Sequence, residues 1–353
     1  MKKALVIALC LIMAVSVIFV GCGNTTDPET TTDVAADTTA EATSEKTEAG
    51  DTLKFGAGVS VAAPATTDAT DDKDGTGKVD ITFAAVTVDA DGKIVACALD
   101  TASNSVNYTA DGKAVAVEEF KTKYELGKDY NMVAYGGAVK EWFEQADAFE
   151  AVVAGKTLDE VKALVAEENK GTDEVIKAGC TIMINEFVAA IEKAYNAAAA
   201  SDVTAADTLK VTAATEQTCT DATEDKDGSN KVSTTVFAAA VNAEGKVVAC
   251  ASDCVEVTFT FTTAGAATLD TTKAVVSKKD QGADYGMVAF GGAEKEWFEQ
   301  AAAFDAACIG KTAKEIAGFV VTEGENAGKG VEDIQAAGCT IYVTGFVKAA
   351  SKI

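Results

Sequence analysis

From Val79 to Val88 the chain is apolar with loose alternation, the pattern of a strand with one face in a core. Asp91-Gly92 then marks a hairpin turn, and Lys93 to Leu99 reads as the return strand. Ser105 to Thr109 reads as a third strand, and Leu53 to Ala62 adds another ahead of them. Beyond the strands the period changes. Trp142, Ala146, Phe149 and Val153 fall on one helical face, and the spacing predicts a helix opened by Gly136-Gly137 and closed by Gly155. Thr157 and Glu160 have the spacing of a capping box, so a second helix begins there. Phe187, Ile191 and Ala194 share a face of a last helix.

The same order recurs downstream. Glu244-Gly245 is again a hairpin signal, Leu209 to Ala214 and Val255 to Thr262 read as strands, and Thr312 with Glu315 repeats the capping box. Whole segments match: "TDATDDKDGTGKVD" with "TDATEDKDGSNKVS", and "DYNMVAYGGAVKEWFEQADAFEAVVAGKT" with "DYGMVAFGGAEKEWFEQAAAFDAACIGKT". The offset drifts only from 153 to 159 residues, so the chain is a tandem duplication of whole domains rather than a solenoid. The boundaries fall at 51–200 for the first repeat and 201–353 for the second. Strands followed by helices indicate an α+β fold: two similar domains, each a mainly antiparallel sheet with helices packed on one face.

The chain begins differently. Lys2 and Lys3 precede an apolar run from Ala4 to Val20, the shape of a signal peptide over 1–21. Phe19-Val20-Gly21-Cys22 resembles the lipobox of bacterial lipoproteins. The resemblance implies cleavage before Cys22, lipidation of Cys22 and anchorage on the outer face of the bacterial cytoplasmic membrane. The alternative is an uncleaved spanning anchor, for which the run is short. Residues 22–50 are the lipidated Cys followed by Thr, Ala, Asp and Glu, too poor in apolar surface to offset ordering entropy. They read as a disordered tether.

Composition removes much chemistry. There is no His and no Arg, and the formal charge is −25. A Ser-His-Asp triad, a Cys-His pair, a His-liganded zinc and a guanidinium fork are all excluded. So acidic a surface makes nucleic acid a poor partner. Seven cysteines follow Cys22, an odd number, without metal-knuckle spacing. Cys250 and Cys254, i and i+4 on a strand, stand about 13 Å apart and cannot bond to each other. Buried small hydrophobes are the reading for most of them.

Four features invite a functional reading. "DATDDKDG" suggests a calcium loop, but with Gly75 at the sixth position the twelfth is Ile81, and Thr234 in the second copy, neither a bidentate carboxylate. An acidic surface loop is the reading kept, and no metal is expected. Trp142 and Trp297 sit at helical spacing and read as core. Gly136-Gly137 and its copy permit close backbone approach, a weak signal. The fourth feature is Ala-Gly-Cys-Thr, at Ala178–Thr181 and again at Ala337–Thr340, each time ahead of an apolar helix. Gly179 and Gly338 allow an unusual turn. Thr181 and Thr340 then place a hydroxyl near a helix start, where free N–H groups favour an anion such as phosphate.

This tetrapeptide, with "INEFVAAIEKA" after it and "TVDADGKIVACALD" upstream, resembles the Ser-Gly-Ala-Thr region of the bacterial FMN-binding domain family. Members occur in extracytoplasmic flavoproteins and in electron-transfer complexes. The family's Ser is Ala178 or Ala337 here, and its Ala is Cys180 or Cys339. The resemblance implies FMN, covalent or non-covalent, with Thr181 and Thr340 as attachment residues, Gly179 and Gly338 shaping the turn, and Cys180 and Cys339 beside the cofactor. It implies a flavin transferase and redox proteins as partners, and an electron carrier without catalytic residues of its own. The alternative is a non-redox binding or structural lipoprotein that keeps the fold without the flavin site.

Overall fold

The computed structural model describes residues 52–353, which lie within one compact unit. The expected signal peptide over 1–21, the expected lipidation at Cys22 and the expected tether over 22–50 lie outside the described residues. No helix among those described is long and apolar enough to cross a membrane.

The first repeat contributes β1 (Leu53–Val61), β2 (Ala65–Thr67), β3 (Gly75–Val88), β4 (Ile94–Tyr108) and β5 (Ala114–Val115). They are followed by α1 (Lys123–Leu126), α2 (Trp142–Val153), α3 (Leu158–Lys162), α4 (Asp173–Ala178) and α5 (Asn185–Asn196). After β6 (Ala199–Val203), the second repeat supplies β7 (Thr208–Thr220), β8 (Gly228–Val241) and β9 (Val247–Phe261). Its helices are α6 (Lys278–Gln281), α7 (Trp297–Cys308), α8 (Ala313–Ile316), α9 (Glu332–Ala336) and α10 (Thr344–Ala350). One sheet has the order β5-β4-β3-β1-β6, with β2 also on β3, and the other β7-β8-β9. Every pairing is antiparallel. The fold is thus α+β, as the pattern of strands then helices implies.

Three expectations need correction. The return strand and the third strand are one strand in each repeat, β4 and β9. The polar stretch between them is buried rather than looped: Thr101 pairs with Thr82, and the Asn104 amide donates to Thr234 of the other sheet at 2.8 Å. The Gly pairs do not open α2 and α7. Glu141 and Glu296 are the N-caps, each in a capping box with a Glu three residues on. Finally, β6 spans the point between the repeats and pairs with β1. The boxes at Thr157 and Thr312 are present as expected. Replacing Thr157 with Ala, which removes one of the donors' partners, is expected to cost about 1 kcal/mol in a denaturant titration.

The two sheets pack face to face. Val59, Ile81, Phe83 and Val106 on one side meet Ala213, Val232, Val257 and Phe259 on the other. Helices cover both outer faces, with Trp142, Phe149 and Phe187 over the first sheet and Trp297, Phe304 and Phe346 over the second. Both Trp side chains are only 3 % exposed, so they are core. The layer order is helix, sheet, sheet, helix.

The repeats meet through contacts that occur twice with roles exchanged. The Ala69 N–H donates to Gly265 O, and the Ala222 N–H to Gly112 O, each at 2.8 Å. The Asp68 carboxylate accepts from Ala267 N–H, and that of Asp221 from Ala114 N–H. Lys193 pairs with Asp280, and Lys352 with Glu125. Tyr108 and Phe261, at matching positions, stack with ring centroids 4.5 Å apart. Such reciprocity is the signature of an isologous two-fold interface, here within one chain.

Candidate functional site

Each tetrapeptide joins two helices. In the first repeat α4 ends at Gly179, whose φ of +110° is one that residues with a Cβ rarely adopt. The N–H groups of Gly179 and Cys180 donate back to Ile176 O and Val175 O and close the helix end. Gly338, at φ +102°, does the same in the second repeat, with Cys339 N–H on Ile334 O.

Cys180 and Cys339 turn inward and are fully buried among apolar side chains. Burial pushes each thiol up to about 11, so both are neutral at physiological pH. Neither is positioned as a nucleophile, and both lie beneath the joint. Thr181 and Thr340 point the other way and are exposed. They do not lie at a helix start. Helix α5 begins at Asn185 with Ile184 as its N-cap, so the helix N-terminus is not what would receive an anion there.

A buried glutamine organises the threonine. The Thr181 N–H and Oγ1–H both donate to Gln145 Oε1 at 2.9 Å. Gln145 is 1 % exposed on α2, and its Nε2 donates to Lys140 O at 3.0 Å. Gln300 holds Thr340 in the same geometry, and donates to Lys295 O. A cation completes each arrangement. Lys140 lies across Gly179, so that a Cβ there would collide with its Nζ, and Lys295 lies across Gly338 in the same way. Lys140 Nζ also reaches Ala178 O at 3.5 Å.

The loop ahead of each lysine is tied down by the N-cap glutamate. Glu141 accepts from the N–H groups of Met132 and Val133, and Glu296 from those of Met287 and Val288. Lys123 sits over the rings of Tyr130 and Trp142, and Lys278 over Tyr285 and Trp297. The tied loops carry exposed apolar side chains: Tyr135, 86 % exposed, and its counterpart Phe290, 91 % exposed. Met183 and Tyr342, just after the threonines, are exposed too. The joint thus offers a hydroxyl, an ammonium and apolar surface along two segments that touch where lysine crosses glycine. These groups suit a ligand with a phosphate and a planar ring.

Lys140, Gln145 and their copies escaped the reading of the sequence. Their signal was there: "KEWFEQ" is identical in both repeats. Its alternation of charged and aromatic residues was absorbed by the helix reading. The acidic loop from Thr70 to Asp74 lines an open cleft of about 720 Å³ with Asn107 and Asp111. Among the described residues no three His, Cys, Asp or Glu side chains converge as a metal site.

No family model matches the chain, no curated protein matches it, and no solved structure matches its fold.

Proposed function

We propose that the protein carries FMN at one or both tetrapeptides, attached through its phosphate at Thr181 and Thr340, and serves extracytoplasmic electron transfer. The observation that carries this reading is the exposed threonine hydroxyl, held on a buried glutamine beside a lysine ammonium, in the same geometry in both repeats. Lys140 and Lys295 would offset phosphate charge on an otherwise acidic surface. Tyr135, Met183, Phe290 and Tyr342 would offer apolar contact to a ring.

Gln145 and Gln300 orient the hydroxyls but are amides, and cannot take the proton that leaves when an ester forms at Oγ1. Among the described residues no carboxylate is hydrogen-bonded to either threonine hydroxyl, so the base would come from a partner, which is the role of a flavin transferase. The flavin itself supplies the redox chemistry when bound. The two joints lie in opposite outer helical layers with both sheets between them. Each would meet its redox partner separately. Lipidation at Cys22 would hold the protein at the outer face of the membrane.

A second reading is a non-redox binding or structural lipoprotein. It is favoured by the hydrogen bonds the threonines already make within the chain and by the buried cysteines. Co-expression of residues 23–353 with a flavin transferase separates the two. A yellow protein with a fluorescent band on a denaturing gel is expected. Thr181→Val and Thr340→Val should each remove one site's share, and the double variant all of it. A band that survives the double variant ends the attachment assignment. Colour lost on denaturation indicates non-covalent FMN, and no colour at all favours the second reading.

A further inference from the structure

The second repeat holds thiols that the first lacks. Cys308 closes α7, where the matching end of α2 has Val153. It is fully buried and packs in the core where β9 faces α7. From β9, Cys250 reaches the same helical turn: its thiol donates to Asp305 O at 3.3 Å, and Asp305 and Cys308 are three residues apart on α7. Cys308 projects from that same turn, and both side chains pack in the same core cluster, which brings the two thiols to one place between β9 and α7. Cys339 also packs in this core near Cys308, but it sits on the tetrapeptide joint rather than on the strand that faces the end of α7, and the remaining pairings are poorer. Cys254 lies four strand residues from Cys250 and turns to Ser233. Cys97, the copy of Cys250, packs on the core of the first repeat, where the matching end of α2 has Val153 in place of a cysteine. Cys219 is exposed.

We propose that Cys250 and Cys308 are a disulfide-forming pair that staples β9 to α7 in the second repeat alone. Bond formation removes one proton and one electron from each thiol. The acceptor is a disulfide of a thiol-oxidising protein or of glutathione, which is reduced to two thiols as the new S–S bond forms. An extracytoplasmic location, expected from the leader, is a compartment where such a bond persists. Cys308 is fully buried once folded and Cys250 is half-buried against the same core, so the exchange takes place during folding. The staple holds the helix that carries Gln300, and therefore the partner of Thr340. The first repeat, with Val153, stays insensitive to redox state, and the two joints become inequivalent.

The test is refolding of residues 23–353 in oxidised and reduced glutathione, alkylation under denaturing conditions, and peptide mapping without reductant. The expected result is one cross-linked peptide pair, Cys250 with Cys308, and alkylation of the remaining cysteines. Cys308→Val introduces the residue that the first repeat tolerates at this place, so the variant should fold. It should lose the cross-link, and the several-degree rise in thermal midpoint expected on oxidising the parent should be absent from the variant. Full alkylation of the refolded parent overturns the proposal, and so does a cross-link to another cysteine, Cys339 included.

Discussion

Replacing Gly58 with Ala is expected to cost about 3–5 kcal/mol and to lower the thermal midpoint by roughly 5–10 °C. Gly58 lies on β1, paired with Ala84 of β3, and α5 crosses directly over it. A Cβ at this position would overlap the backbone of Ala190 and Ala194. Backbone cannot swing aside as a flexible side chain does, so α5 must lift. Lifting α5 withdraws Phe187, Ile191 and Ala194 from the core over the first sheet. The second repeat shows the other solution. Thr212 occupies the matching position on β7, and its Oγ1 donates to Ala349 O of α10 at 2.8 Å. There the helix stands far enough off the strand to admit a side chain. Differential scanning calorimetry on the variant measures the effect. A midpoint within about 1 °C of the parent would mean that α5 is not seated on β1 in this way.

The second large effect is on pH. Asp100 is buried where its carboxylate accepts from the N–H groups of Thr101 and Tyr124. Burial raises it to about 7 in spite of those bonds. Glu150 accepts from Leu99 N–H at 2.7 Å, and burial raises it to about 8, with Asp147 and Asp100 adding to the shift. In the second repeat burial also raises Asp253 and Asp305, and Lys279 partly offsets both. The sign follows from linkage. Near pH 4 the folded state keeps protons on these groups, while the unfolded chain begins to release them. From there to about pH 8 the folded state holds more protons, so stability falls with rising pH. Above pH 8 the full penalty applies. Unfolding free energy is therefore expected to drop by about 2–4 kcal/mol from pH 5 to pH 8.5, since solvent relaxation around the buried carboxylates screens part of the two shifts.

Glu150→Gln tests the cause. The amide oxygen can still accept from Leu99 N–H, but the group no longer titrates. The variant should match the parent near pH 4.5 and exceed it by about 1–3 kcal/mol at pH 8.5. Equal slopes for the two proteins would assign the pH dependence to general charge repulsion in a chain of net charge −25 instead.

Local signals in this chain are reliable because their physics is local. Thr-x-x-Glu announces a helix start because the groups that satisfy each other are three residues apart, and the boxes at Thr157 and Thr312 are both in place. Trp142, Phe149 and Val153 share a face because 3.6 residues make a turn. Gly179 and Gly338 mark a turn with positive φ because few other residues can adopt it. The duplication was also legible, since it needs no geometry at all.

What remained hidden depends on groups far apart in sequence. Asn104 and Thr101 look like loop residues until the second sheet covers them, and Thr234 lies 130 residues from its Asn104 partner. Gln145 is an ordinary helix residue until Thr181, 36 residues on, donates both of its hydrogens to it. By itself the sequence determined two α+β repeats, their helix caps, their apolar faces and the turn at each tetrapeptide. Only tertiary packing decided which way Thr181 and Cys180 face, which lysine crosses the glycine, and that the two sheets share one core. The reason is that capping and periodicity act within a few residues, whereas burial and long-range hydrogen bonds exist only once the layers have closed on each other.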